Sequence, residues 1–350
     1  MARTDGKREK QHYVPQMLLR NFAANPDAAR AKKQVYVLDK TNSRVFQANI
    51  RNVAAAYEFY EVETAVEKLN AEHLLSELEE KASVILSKLT ETCSVANMSR
   101  EDKEWLAVFI AVQFMRTETV RGRFDAINAE IEVHIRKMGY DPANVEGYRR
   151  LGPDEVKEKT IRLLAAALKE YPPFLLSKQW FLLGTPEGRP FHIGDHPVTM
   201  TNNRDSGAYG NLGLAVPGVQ IYMPLSPSLT LALWCPTILK EIEANWREPR
   251  KLLTQLKALQ QAGHSFDSAA LANIAGVEAG MALSDHITSA AATGGMHVGD
   301  ADNTDMLNSL QVKFASRFVM SNQSQFEIAE RMFADNAAYR TRQMEGVKIG

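Results

Sequence analysis

Four short segments of this chain carry residue types that chemistry needs, and they lie far apart in sequence. The first is Gln11-His12-Tyr13-Val14-Pro15-Gln16, followed by Leu18, Leu19 and Phe22. His12 and Gln16 are four residues apart and could share a helix face, although Pro15 can place the helix start between them. An imidazole beside an amide can hold a substrate or a metal. The plainer alternative is that Tyr13, Leu19 and Phe22 anchor the N-terminus while His12 caps something. The second segment holds Gln113 and Arg116. Trp105 to Met115 is apolar on nearly every side, with Gln113 the lone polar residue. A helix apolar all round is buried, so the amide and the guanidinium behind it must be paired. An unmet buried polar group costs roughly 1–3 kcal/mol, and a charge more. Arg116 therefore calls for a carboxylate or an anionic ligand, either of which fits its fork of donors. The bland version is a structural Arg–carboxylate bridge.

The third segment is Phe191-His192-Ile193-Gly194-Asp195-His196-Pro197, where an apolar strand runs into charge. His192, Asp195 and His196 are residue types that bind metals. On an extended strand Asp195 points away from both histidines, so a metal needs a bend at Gly194 or Pro197. Otherwise Asp195 pairs with Arg116 or simply starts a turn. The fourth is Asn308, Gln311, Ala315 and Phe318, spaced 3, 4 and 3. That is one helix face with two amides at the edge of a core, or an ordinary amphipathic boundary. No GxSxG elbow surrounds a serine and neither Cys93 nor Cys235 has an activating motif, so nucleophilic catalysis has no support. No glycine-rich phosphate cradle is present either.

These residues need elements to position them. Gln34–Lys40 and Arg44–Ile50 read as a hairpin around Asn42-Ser43. Leu75, Leu78, Ala82, Ile85 and Leu89 make one helix face, and the charged run Glu77–Lys81 reads as its solvated side. Ser99 with Asp102 resembles a capping box that opens a helix to about Lys137, with Gly139 as its stop. Pro153-Asp154-Glu155 starts a helix through about Glu170. Residues 184–228 then hold 7 of the 20 glycines and 6 of the 14 prolines in 45 of 350 positions. Both types are enriched more than twofold there, so that stretch reads as short strands joined by irregular loops. Helical patterns return over Thr237–Ala262 and Ser268–Ser289. Residues 290–304 read as a loop, and a last helix covers about Thr304–Met320. The expected fold is α+β, a mainly helical body with a small antiparallel sheet. A flexible basic tail is expected over 1–11 and one large domain over 12–322, with its β-rich part at about 180–235. A C-terminal extension follows over 323–350.

Composition narrows the function classes. Lys+Arg is 41 and Asp+Glu is 42, a net charge of -1. No global positive excess draws the chain to nucleic acid or anionic lipid, although local patches could. The longest apolar stretch is too short to span a bilayer. The polar start resembles no secretory signal, and two cysteines cannot staple a chain of 350 residues. A cytoplasmic protein is expected.

Together the segments QHYVPQMLLRNF, VYVLDK, QFMRTETVR, FHIGDHPV and NSLQVKFASRFV, in that order, resemble the prokaryotic family catalogued as domain of unknown function 4238. The resemblance covers about residues 10–322, and the HYVPQ-type opening is its most specific element. The family pattern in the fourth of these strings is nearer to Ser-Asp-Asn-Pro. Asp195 and Pro197 match it, while Gly194 and His196 depart, so no role of the family's Ser or Asn transfers. The resemblance implies that His12, Gln16, Arg116, Asp195 and Asn308 match recurring polar positions, and it implies no activity. The expected function is a hydrolase acting on a phosphodiester or another anionic substrate, nuclease-like in type and aided by a divalent metal. In it His12 or Asp195 is the general base or metal ligand, and Arg116 stabilises an anionic transition state. Gln16, Gln113 and Asn308 orient the substrate, and the metal set is His12, Asp195 and His196. The alternatives are a non-catalytic protein that holds an anionic small molecule through Arg116, or nucleic acid, and a purely structural Arg116–Asp195 bridge.

Overall fold

A computed structural model describes residues 10–57, 61–63, 68–70, 72–204 and 212–341. The chain enters as Lys10–His12 (β1), and Pro15 turns it into the short helix Gln16–Asn21 (α1). The hairpin Gln34–Asp39 (β2) and Arg44–Asn49 (β3) follows, its turn closed by Ser43 at φ +58° and by Asn42 Oδ1 accepting from Arg44 N. Ala55–Tyr57 (β4) then returns to pair antiparallel with β1. That pairing ends the expected tail before Lys10 and Gln11, because Gln11 sits buried opposite Ala56. Residues 1–9 lie outside the described residues. Glu61–Glu63 (β5) and Lys68–Asn70 (β6) form a small antiparallel ribbon.

The helical body begins with Glu72–Thr92 (α2), whose Leu75, Leu78, Ala82, Ile85 and Leu89 are all buried. Ser99 caps the next helix by accepting from Asp102 N. That helix is not continuous to Lys137. It runs as Arg100–Met115 (α3), breaks at Arg116-Thr117, and resumes as Glu118–Lys137 (α4), followed by Gly139 at φ +86°. The break has a tertiary cause. Thr117 is extended (φ -111°, ψ 159°), and its hydroxyl shares a 2.6 Å hydrogen bond with His196 Nδ1. Thr119 donates to Phe314 O at 3.2 Å. Pro153–Glu170 (α5) and Pro172–Leu176 (α6) complete this layer.

The Gly/Pro-rich stretch supplies strands to two sheets rather than one. Its strands are Gln179–Gly184 (β7), Ile193–Gly194 (β8), Thr199–Thr201 (β9), Gln220–Ser226 (β10) and Leu229–Trp234 (β11). Two 26-residue helices follow, Pro236–Gln261 (α7) and Ser268–Thr293 (α8). Then come Met296–Val298 (β12), Ala301–Phe314 (α9), Phe318–Ser321 (β13) and Glu327–Asp335 (α10). One sheet has the order β12-β7-β11-β10-β9 and the other β3-β2-β13-β8. Pairing among the described strands is antiparallel except β12 beside β7, which is parallel. Gly294, at φ +72°, ends α8 and delivers β12 to the sheet edge, so the expected loop over 290–304 contains a strand and a helix start.

The last expected helix is also shorter. α9 stops at Phe314, and residues 318–321 pair with β2 and β8 as β13. The expected C-terminal extension is part of the fold up to the described limit. Phe326, Ala329 and Phe333 of the α10 segment close a second apolar cluster with Leu38, Val312 and Val319. The architecture is α+β and mainly helical, as expected. No described helix is long and apolar enough to cross a membrane.

Candidate functional site

The polar residues from the sequence sort into two groups on either side of the α3–α4 break. The first group lines an open cleft of about 560 Å³ between β1–α1 and α2. His12 leaves β1 half-buried, and Gln16 opens α1 beneath it. Gln16 Nε2 donates to His12 Nδ1 at 3.5 Å, and Arg20 NH2 donates to Gln16 Oε1 at 3.1 Å. His12 Nε2 lies 3.4 Å from Ile50 O. A carbonyl only accepts, so this geometry assigns the ring proton to Nε2 and leaves Nδ1 as the acceptor. Burial lowers the His12 pKa below its ordinary 6.5, so the ring is neutral at pH 7.

The opposite wall belongs to α2 and presents Ser76, Glu79, Glu80 and Ser83, while Lys10, Arg20 and Arg30 complete the lining. Glu79 is the residue that sequence reasoning missed. Its Oε1 accepts from Arg116 NH1 at 2.7 Å. Arg116 Nε donates to Gln113 Oε1 at 2.8 Å, and Gln113 Nε2 donates to Tyr13 O at 2.9 Å. The buried guanidinium, only 1% exposed, thus anchors a carboxylate that reaches the cleft, whose side chain is 30% exposed. The carboxylate that Arg116 required is Glu79, so the expected Arg116–Asp195 bridge is replaced by Arg116–Glu79. The signal was present in outline. Glu79 stands four residues after Leu75 and three before Ala82, on the apolar face, inside a run that otherwise reads as solvated. Arg20 brings a further feature. Its Nε is buried and meets no hydrogen-bond partner among the described residues. Burial and the nearby Arg30 and Arg51 charges disfavour its protonated form.

The second group is a buried node. Asp195 Oδ1 accepts from Ser316 N at 2.6 Å, and Oδ2 accepts from Arg317 N at 2.8 Å and Phe318 N at 2.9 Å. Burial pushes the Asp195 carboxyl up in pKa, while those three amides and the Lys40 ammonium favour its charged form. These bonds turn the chain from α9 into β13. His196 is buried against Phe114 and Phe314, with ring centroids 5.5 and 6.0 Å away. Asn308 Oδ1 accepts from His192 N at 2.7 Å, and Asn308 Nδ2 donates to Pro190 O at 3.0 Å. Gln311 Oε1 accepts from Gly194 N at 2.8 Å, and Gln311 Nε2 donates to Pro197 O at 3.1 Å. Both amides of α9 therefore clamp the irregular segment around β8.

His12 and Gln16 line the cleft with Glu79, which Arg116, itself bonded to Gln113, holds from behind the wall. Asp195, His196 and Asn308 are spent on the node. The expected metal set of His12, Asp195 and His196 is not assembled, because both Asp195 oxygens face backbone amides and His196 Nδ1 faces Thr117. Among the described residues no group of three or more His, Cys, Asp or Glu is placed to hold a metal ion.

The comparisons with curated proteins and with solved structures found no match. The sequence model of a family described as "Protein of unknown function (DUF4238)" matches residues 10–325, nearly the whole chain, and the protein belongs to that family.

Proposed function

We propose that this protein is a hydrolase for a small anionic substrate of the phosphodiester class, acting in the cleft between β1–α1 and α2. One arrangement carries the reading: Lys10, Arg20 and Arg30 border the same cleft as His12 and Glu79. Cations there can hold a phosphoryl group, and a neutral imidazole beside a carboxylate suits general acid–base work. His12 Nδ1 is the base, and Gln16 orients its ring. Glu79 is fixed by Arg116, which acts behind the wall rather than on the substrate. Asp195 and Asn308 then hold the fold around the site. The acidic residues in the same lining favour a small anion over a long nucleic acid, which needs an extended basic track.

The anion site is tested by calorimetric titration with inorganic pyrophosphate. Arg20→Ala and Arg30→Ala are each expected to weaken binding by roughly tenfold to a hundredfold, the range for hydrogen bonds to charged groups. Equal affinity in all three proteins would remove the anion-holding role. The pH dependence follows from His12. A base must be neutral, and its pKa is lowered, so kcat/KM should hold as pH falls past 6.5 and decline only below it. An acidic limb centred at or above 6.5 would assign the base elsewhere.

A second reading has one observation in its favour. Both ring nitrogens of His12 already have hydrogen-bond partners, so a ligand can be held by the cations of the lining with no proton taken by the ring. An anion recovered intact after incubation would select it.

A further inference from the structure

A second cavity, of about 340 Å³, lies against β8 and the N-terminal half of α9 and shares no lining residue with the cleft. Its key residue is His192. The backbone there is pinned by Asn308, and the ring packs on Phe326 with centroids 5.0 Å apart. His192 is 5% exposed and lines the cavity. Its Nδ1 is buried and meets no hydrogen-bond partner among the described residues. A proton on Nδ1 would be an unmet buried donor, the costlier choice, so the proton belongs on Nε2. Burial also holds the ring neutral, pulling its pKa down to about 4. The histidine therefore offers an N–H without a charge.

The charged groups around the cavity balance. Arg189 NH2 donates to Asp305 Oδ1 at 2.8 Å, and Arg331 pairs with the other oxygen of Asp305. Glu327 also lines the cavity, so with Arg331, which stands behind Asp305 and outside the lining, the nearby charges count two guanidiniums and two carboxylates. A neutral ligand suits such a balance, because an ion would enter with no opposing excess. The remaining polar lining, Gln323 and Gln325, both donates and accepts. Hydroxyl groups do the same and can replace the water at both ends of such an amide. The volume is at the small end of ligand pockets, enough for one sugar ring.

We propose that this cavity binds a neutral polyhydroxyl ligand of monosaccharide size, with the His192 Nε2–H donating to one of its oxygens. The test uses the full chain with ¹⁵N-labelled histidine, titrated with ribose and with glucose and followed by NMR. The expected result is a saturable shift of the His192 ring signals at millimolar concentration with at least one sugar. His192→Phe keeps a ring on Phe326 and is expected to lose at least tenfold in affinity. Gln325→Ala is on the exposed rim, where a fold defect has no basis, and is expected to lose severalfold. His192 signals unmoved by either sugar would overturn the assignment. So would binding unchanged in a folded His192→Phe protein or in Gln325→Ala.

Discussion

Asp195→Ala should cost about 3–5 kcal/mol of stability, because the Ser316, Arg317 and Phe318 amides lose their buried acceptor and each unmet donor costs roughly 1–3 kcal/mol. Lys40 adds to the cost. Its ammonium is fully buried and donates to Val312 O at 2.6 Å and Ala315 O at 2.7 Å, the carbonyl end of α9. A cation is favoured there by the helix dipole, yet burial still pulls the Lys40 pKa down to about 8. Asp195 is the charge that offsets this. Removing it leaves the amides of 316–318 without their acceptor and takes away the nearby negative charge, while Lys40 keeps its two carbonyl partners. For a chain of 350 residues the loss corresponds to a melting temperature lower by roughly 4–7 °C. Adding Lys40→Met should restore part of it, since an apolar replacement of both ions is often tolerated. A melting temperature within about 2 °C of wild type in Asp195→Ala would contradict the node.

The second large effect is on turnover. His12→Ala should lower it by about 10²–10⁴-fold, the usual contribution of a positioned base. Its melting temperature should hardly move, because the ring is half-buried and its hydrogen bonds are long. Glu79→Gln should lower turnover to a similar degree but with a different signature. It also removes the charge facing a buried guanidinium while keeping an oxygen that can accept its hydrogen bond, so the stability cost is about 1–2 kcal/mol, discounted because Glu79 keeps 30% exposure. The pair of variants therefore separates a residue that acts on the substrate from one that is also wired into the core.

Local signals foretold much of this molecule. Ser99, Pro153 and the Leu75–Leu89 spacing marked helix starts and faces that the structure keeps, and Asn42-Ser43 marked the hairpin turn. What they missed depends on bonds between distant residues. The α3 helix ends at Met115 because Thr117 bonds His196, 79 residues on. The α9 helix ends at Phe314 because Asp195 collects amides from 121 to 123 residues away. No periodicity announces either. The candidate site was half visible. His12 and Gln16 were picked out by spacing, and Arg116 by the charge that a buried helix must neutralise. Its partner was concealed, because one carboxylate in a charged run looks like its neighbours until the fold shows which faces inward. The sequence reads Asn308 and Gln311 as a polar spot at the edge of a core and Asn308 as a substrate contact, but both are buried and bond chiefly to backbone atoms, which carry no residue type to read.

The most direct test is product analysis of the full chain incubated with nucleotides, dinucleotides and other small phosphodiesters, with and without Mg²⁺, Mn²⁺ and Zn²⁺, beside a folded His12→Ala variant. Cleavage products from the wild-type chain and their loss in His12→Ala are the expected result. Equal cleavage by both proteins, or substrates recovered intact from both, would contradict hydrolysis in this cleft.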